Sequence, residues 1–246
     1  TLDLEEHEER ADWARDYRLR HGRFYQIKPL LMLTWAADIR FLDFSNLNPL
    51  DQTQGAVRIS LRRKLGVGPQ VPWWRLSAGL SGHRFQSSIR NRNLADIQFE
   101  VGKRFNDRFS ATISLDKESY RGVNSRYFGG EAFATGLNTE TKLSGHLTLL
   151  AGYELRDGTL TTTYNPNPDP IPWLRDPDFP SLTLAGKQKW IYRLDGFRSN
   201  RFSLGLRLAQ NSYSSWNLAW EKLATEKRDE RSYNRTQIRV AYVRSF

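Results

Sequence analysis

Residues 142–156 read KLSGHLTLLAGYELR. One alternate set is Leu143, Gly145, Leu147, Leu149, Ala151, Tyr153 and Leu155. The other is Lys142, Ser144, His146, Thr148, Leu150, Gly152, Glu154 and Arg156. A period of two is that of a β-strand, whose successive side chains point to opposite faces. The pattern continues on both sides. Phe109, Ala111, Ile113 and Leu115 alternate with Arg108, Ser110, Thr112, Ser114 and Asp116. Ala95, Ile97, Phe99 and Val101 alternate with Asp96, Gln98, Glu100 and Arg104, with Lys103 on the apolar side next to a turn. Val57, Ile59, Leu61 and Leu65 alternate with Arg58, Ser60, Arg62 and Lys64. These runs are about ten residues or longer, against about five or six in soluble sheets. About ten is what a tilted strand needs to cross a bilayer.

Composition narrows the class. The chain has 246 residues, no cysteine and a formal net charge of +10. Disulfides, Cys-ligated zinc, iron–sulfur clusters and thiol catalysis are excluded. No apolar run is long enough for a transmembrane helix. With 8 Trp, 10 Tyr and 13 Phe, the chain is too aromatic to be a solvated coil. A large single β domain fits the length.

Candidate strands fall near 23–36, 54–65, 72–85, 92–105, 107–119, 125–138, 142–156, 158–165, 181–195, 200–212, 214–225 and 233–246. Short turns are expected at Asn106-Asp107, Asn138–Thr141, Ser199-Asn200 and Ser214-Ser215. Longer polar loops are expected at Ser87–Asn93 and Lys227–Asn234, with a Pro-rich one at Asn165–Pro180. Short turns at one end and long loops at the other describe an all-β, antiparallel, up-and-down transmembrane β-barrel of twelve strands, with ten as the alternative. Residues 1–20 differ: seven acids and four arginines give −3, so the remaining 226 residues carry +13. Leading acids and trailing arginines suit a helix dipole, and Asp3 with Glu6 resembles a capping box. The expected division is an amphipathic helix, periplasmic or plugging, over 1–22 and the barrel over 23–246. The chain opens at Thr1 with no apolar leader, as either a processed or a trimmed chain would.

The last strand reads TQIRVAYVRSF: Ile238, Val240, Tyr242 and Phe246 alternate with Gln237, Arg239, Ala241 and Ser245. This resembles the C-terminal signal strand of bacterial outer-membrane proteins, in which Tyr242 and Phe246 would be the assembly signal; Arg244 departs from it, standing where that family has an aromatic or apolar residue. The resemblance implies a bacterial outer-membrane location and recognition by the barrel-assembly machinery. The closing hairpin also looks loosely like those of surface-lipoprotein and exopolysaccharide export barrels. Trp and Tyr near strand ends, such as Trp73, Trp74, Trp216 and Tyr242, suit interfacial girdles.

If the apolar face meets lipid, the alternate face lines a lumen. Its candidate lining is Arg58, Arg62, Lys64, Arg75, Glu100, Arg104, Arg108, Lys187, Lys189, Arg193, Arg207 and Arg239. The basic excess favours anionic solutes in a narrow pore or export channel. The second reading is a closed structural barrel in which charges pair across the lumen, anchoring an envelope assembly through residues 1–20. The third is an outer-membrane lipid hydrolase. It draws on Ser81-Gly82-His83 and Ser144-Gly145-His146, where Ser and His share a strand face; no third orienting residue is evident, and the chain is read as not an enzyme. His7 and His21 lack metal spacing, and no phosphate-cradling glycine loop occurs, so no cofactor or metal is expected. Outer-membrane lipid and lipopolysaccharide are the expected surroundings, with loop bases such as Arg90 and Arg92 facing phosphates. Bases dispersed among acids argue against nucleic acid.

Overall fold

The computed structural model describes residues 13–45, 51–125, 128–164, 181–184, 187–211, 213–225 and 234–244, with the backbone alone from 160 to 195 within those ranges. The strands are β1 (Ala14–Lys28), β2 (Leu31–Phe44), β3 (Gln52–Lys64), β4 (Trp73–Phe85), β5 (Arg92–Arg104), β6 (Phe109–Gly122), β7 (Gly130–Lys142), β8 (Leu147–Tyr164), β9 (Ser181–Leu184), β10 (Lys187–Ala209), β11 (Ser214–Thr225) and β12 (Asn234–Arg244). Each pairs antiparallel with the next along one path, β1 to β8 and then β10 to β12, with the short β9 attached to β10. This is an up-and-down sheet of eleven strands curled as a half-barrel. An odd path leaves β1 and β12 running in the same direction, and no ladder joins them among the described residues. Arg239 of β12 stands within electrostatic range of Asp16 of β1.

Period-two alternation sets the two faces. Exposed Leu80, Ile97, Ile113, Leu204 and Ile238 lie on one, and buried Ser77, Glu100 and Ser114 on the other. A single-layer sheet buries side chains only by curling around them, so the polar face is the concave one. The buried apolar residues described are just Ala36, Phe128, Ala132, Ala134 and Phe197. A soluble fold of this length buries a continuous apolar core; here the large apolar side chains point outward.

The outward row of β5 runs Asn93, Ala95, Ile97, Phe99, Val101, Lys103. Ten residue steps of about 3.3 Å, tilted about 40°, project to about 25 Å, the height of an outer-membrane barrel's apolar band. On β10 and β11 the band is Phe202 to Leu208 and Trp216 to Trp220. Trp216 and Tyr242 meet at its turn-end edge with ring centroids 4.9 Å apart. Tyr153 packs on Phe202 and donates its hydroxyl to Asn200 Oδ1 at 2.6 Å near the other edge.

Most turns at one end are short and locally encoded, the eight-residue connection 65–72 being longer. Asn106 Oδ1 accepts the amides of Arg108 and Phe109 at 2.9 and 2.8 Å. Asn211 Oδ1 accepts that of Tyr213 at 2.9 Å. Side-chain acceptors of this kind mimic a backbone turn.

Several sequence expectations are corrected. Residues 14–22 are not helical; they open β1, which crosses the expected 22/23 boundary. Asp16, Arg18 and Arg20 alternate with Tyr17 and Leu19, and the ladder to β2 outweighs local dipole and capping signals. The expected residues 1–12 of that helix lie outside the described residues. The expected strand 23–36 is the end of β1 and the start of β2, split at Pro29-Leu30. Residues 142–156 contain the turn 143–146, and the expected strands 142–156 and 158–165 give way to the single β8; Asp157 and Gly158 pair with Arg198 and Phe197. The expected turns Asn138–Thr141 and Ser199-Asn200 sit inside β7 and β10. Polar residues mark turns only where the sheet buries apolar ones on its concave side. Here Asn138 and Ser199 belong to a polar concave row. The loops at 165–180 and 227–233 lie outside the described residues.

Candidate functional site

The concave face is built from alternate residues, and cross-strand register decides which charges meet. Arg58 on β3, Gly79 on β4 and Asp96 on β5 occupy one row. Arg58 Nη2 reaches Asp96 Oδ2 at 2.6 Å across the glycine. A Cβ at Gly79 would lie 2.5 Å from Asp96 Oδ1 and 3.1 Å from Arg58 Nη2, so only glycine leaves room for this bridge. Arg156 on β8 reaches Glu118 on β6 at 2.5 Å over the small residues Ala132 and Ala134 of β7. Tyr120 completes that cluster, hydrogen-bonded to Glu118 and to Arg156.

The pattern extends around the arc. Arg40 holds Asp16 through two hydrogen bonds of 2.7 and 2.6 Å. Arg18 meets Asp38 at 3.1 Å, Arg201 meets Glu154 at 2.8 Å, Arg239 meets Glu221 at 2.8 Å and Arg207 meets Glu140 at 3.5 Å. Arg75 pairs with Glu100. Eight arginines are thus committed to eight carboxylates on this face. Asp116 is the carboxylate held by neutral neighbours, Ser114 and Gln98.

The sequence-derived residues therefore divide. Arg58, Arg75, Arg207 and Arg239 lie on the concave row and are ion-paired, and Glu100 is one of the partners. Arg62 shares the row but has no carboxylate partner among the described residues. Its Nε is buried without an acceptor, and its guanidinium lies 4.2 Å over the Trp73 ring. Lys64 and Arg104 end β3 and β5, exposed and outside any ion pair among the described residues. Arg108 sits in the 106–108 turn rather than on a strand. Lys187, Lys189 and Arg193 belong to β10, but their side chains lie outside the described ones. Tyr242 points outward on β12, and Phe246 lies outside the described residues.

The bases without a carboxylate are unevenly placed. Arg62, Lys64, Arg104 and Lys142 all stand within two residues of the ends of β3, β5 and β7 on the same side of the sheet. At the loop end, Arg92 starts β5 with a buried, unpartnered Nε, and its guanidinium lies 5.1 Å over Tyr120. Sequence reasoning missed Asp16, Arg18, Asp38 and Arg40, which it left in a helix or unassigned, and Arg201, adjacent to an expected turn. The repeated Asp-x-Arg order in Asp16/Arg18 and Asp38/Arg40, which antiparallel pairing turns into complementary diagonals, was the available signal.

The serine–histidine pairs separate as well. Ser144 Oγ accepts the amides of His146 and Leu147 at 3.3 and 3.1 Å, so this pair builds a turn. Ser81 Oγ lies 3.0 Å from His83 Nε2, and Gln52 Nε2 lies 2.5 Å from His83 Nδ1. That meets the distance test for a nucleophile, a base and an orienting group. Its electrostatics oppose catalysis: Arg40, Arg84 and Arg92 surround His83, and no carboxylate contacts the ring among the described residues. An imidazolium formed on taking a proton would feel three arginines and only the more distant Glu118, without the carboxylate in contact with the ring that a catalytic triad supplies. No cluster of metal-binding side chains occurs among the described residues.

No sequence-family model and no curated protein matches the chain. Among solved structures, the KdgM porin in complex with disordered oligogalacturonate aligns at 11% identity over 96% of this chain and 98% of that one, with a TM-score of 0.49. The outer membrane channel DcaP of Acinetobacter baumannii aligns at 11% identity over 93% and 62%, with a TM-score of 0.44. The siderophore receptor PiuA of Acinetobacter baumannii aligns at 10% identity over 94% and 45%, with a TM-score of 0.31.

Proposed function

We propose that this chain is an outer-membrane β-barrel channel, whose concave face provides a narrow polar path for solutes with a preference for anions. The observation that carries the reading is the division of the sheet: an apolar outward band of about 25 Å backs a concave face of charges and small polar side chains. Lipid satisfies the first surface and water the second. The anion preference comes from the bases left over after pairing. The C-terminal strand, with Tyr242 outward, serves as the signal for the barrel-assembly machinery in this reading, and lipopolysaccharide surrounds the loop end. The test is conductance of the refolded chain in a planar bilayer under a salt gradient. Steady openings with an anion-directed reversal potential support the channel; insertion without current rejects it.

The eight ion pairs favour one alternative, a barrel closed by its own charges that anchors an envelope partner through residues 1–20. Deleting 1–12 should then abolish partner capture and leave insertion intact. Capture that survives the deletion rejects that role.

A further inference from the structure

Four of the cations left without a carboxylate on the concave face, among the described residues, stand at one rim; Arg20 within β1 and Arg92 at the loop end lie elsewhere. At the turn end, Glu100 and Glu140 are occupied by Arg75 and Arg207. Arg62, Lys64, Arg104 and Lys142 are left without a carboxylate among the described residues. They sit on β3, β5 and β7, every second strand, so neighbouring sites are about 10 Å apart along the wall. Arg62 differs from the other three. Its Nε is buried and has no acceptor. Its guanidinium is stacked on Trp73, whose ring lies directly over Gly102; a Cβ there would be 2.3 Å from Trp73 Cζ2. A buried donor without a protein acceptor calls for a water, an ion or a ligand, and stacking on Trp73 holds the guanidinium in place for it. Arginine presents several donors in one plane, the geometry that oxyanions accept.

We propose that the turn-end rim is a binding site for multiply charged oxyanions, with Arg62 as the anchor and Lys64, Arg104 and Lys142 as the outlying charges. Singly charged anions engage one base and bind weakly. An anion carrying several phosphate or carboxylate groups engages two or more, because the 10 Å gaps are within reach of long side chains. The site rests on the reading of the concave face as open to water, but it faces the rim and does not need a through path.

The test is calorimetry of the whole chain in detergent with inorganic tripolyphosphate, repeated with citrate and with chloride. Tripolyphosphate should bind, citrate more weakly, and chloride not measurably. Arg62→Ala should weaken tripolyphosphate at least tenfold, the scale of a lost charge-assisted hydrogen bond. Arg92→Ala, at the opposite end, should leave it unchanged. Lys64→Ala with Lys142→Ala removes two exposed charges, so it keeps the fold and should weaken binding several-fold. In a bilayer, tripolyphosphate should block current from the turn side only. No binding to the folded chain, or equal binding by the Arg62→Ala and parent chains, overturns the site. Binding without any conductance upholds the site and rejects the channel, so the two failures are distinguishable.

Discussion

Ile97 and Gln98 are adjacent on β5 and face opposite ways. Both lie at the middle of the run from Asn93 to Lys103, so both sit at the midplane of the apolar band. Ile97 is 58% exposed although it is a large apolar residue. Ile97→Arg would place a guanidinium in hydrocarbon at the depth where Arg costs about 2–4 kcal/mol in a barrel. A loss of about 3 kcal/mol reduces the folding equilibrium constant roughly a hundredfold. Gln98→Arg puts the same group on the concave face, opposite Asp116 in register. Asp116 has no arginine partner among the described residues, so this change should cost nothing measurable or stabilise slightly. Asn93→Arg, at the band's edge, should cost about 0–1 kcal/mol. The assay is reversible denaturant unfolding in lipid vesicles, followed by the heat-dependent gel shift of folded barrels. A Gln98→Arg penalty equal to that of Ile97→Arg would refute the face assignment. Equal penalties for Ile97→Arg and Asn93→Arg would refute the bilayer, because a depth profile is what lipid imposes. Extraction of the parent chain without detergent would refute it too.

Asp96→Asn releases Arg58 and adds one positive charge to the concave face; the reversal potential should move toward the anion limit, and an unchanged potential contradicts a conducting path past Arg58. Gly102→Ala drives a methyl into Trp73 and should cost about 1–3 kcal/mol, the usual penalty of overpacking, with a shift in tryptophan emission that an undisturbed ring would not give. Tyr242→Ala breaks the contact with Trp216 and should slow assembly into vesicles containing the assembly machinery more than into pure lipid; equal slowing in both denies it a signalling role. Ser81→Ala and the parent chain should both lack esterase activity towards short-chain esters, and activity lost specifically with Ser81 would overturn the structural reading of the Ser81–His83–Gln52 cluster.

Much of the fold was legible because lipid and water impose a period of two on every crossing strand. Rows such as Ala95 to Val101 and Phe109 to Leu115 identify strand, face and length at once. The errors share one cause. The concave side of a hollow sheet is polar, so Asn138 and Ser199 read as turn residues when they are wall residues. Asp16, Arg18 and Arg20 read as a helix face when they alternate along β1. Local propensity rules assume an apolar interior, and here the interior is not apolar.

The charge of the candidate site was less legible, for a different reason. Alternation gives the composition of a face, but neutralisation depends on which strands lie side by side and in what register. Arg58 and Arg62 are four residues apart on one strand and indistinguishable by sequence. Arg58 meets Asp96 because Gly79 opens the gap between them. Arg62 meets an aromatic ring, because its row brings Arg75 beside it and Arg75 takes Glu100. Pairing thereby leaves four of the surplus bases together at one rim. The net charge of +10 says that bases exceed acids; the ladder of committed pairs decides where the difference is felt. A solute approaching the turn end meets Arg62, Lys64, Arg104 and Lys142, whereas beyond that rim most arginines it passes already hold a carboxylate. Selectivity in such a path belongs to the few side chains that pairing leaves over, not to the average charge of its wall.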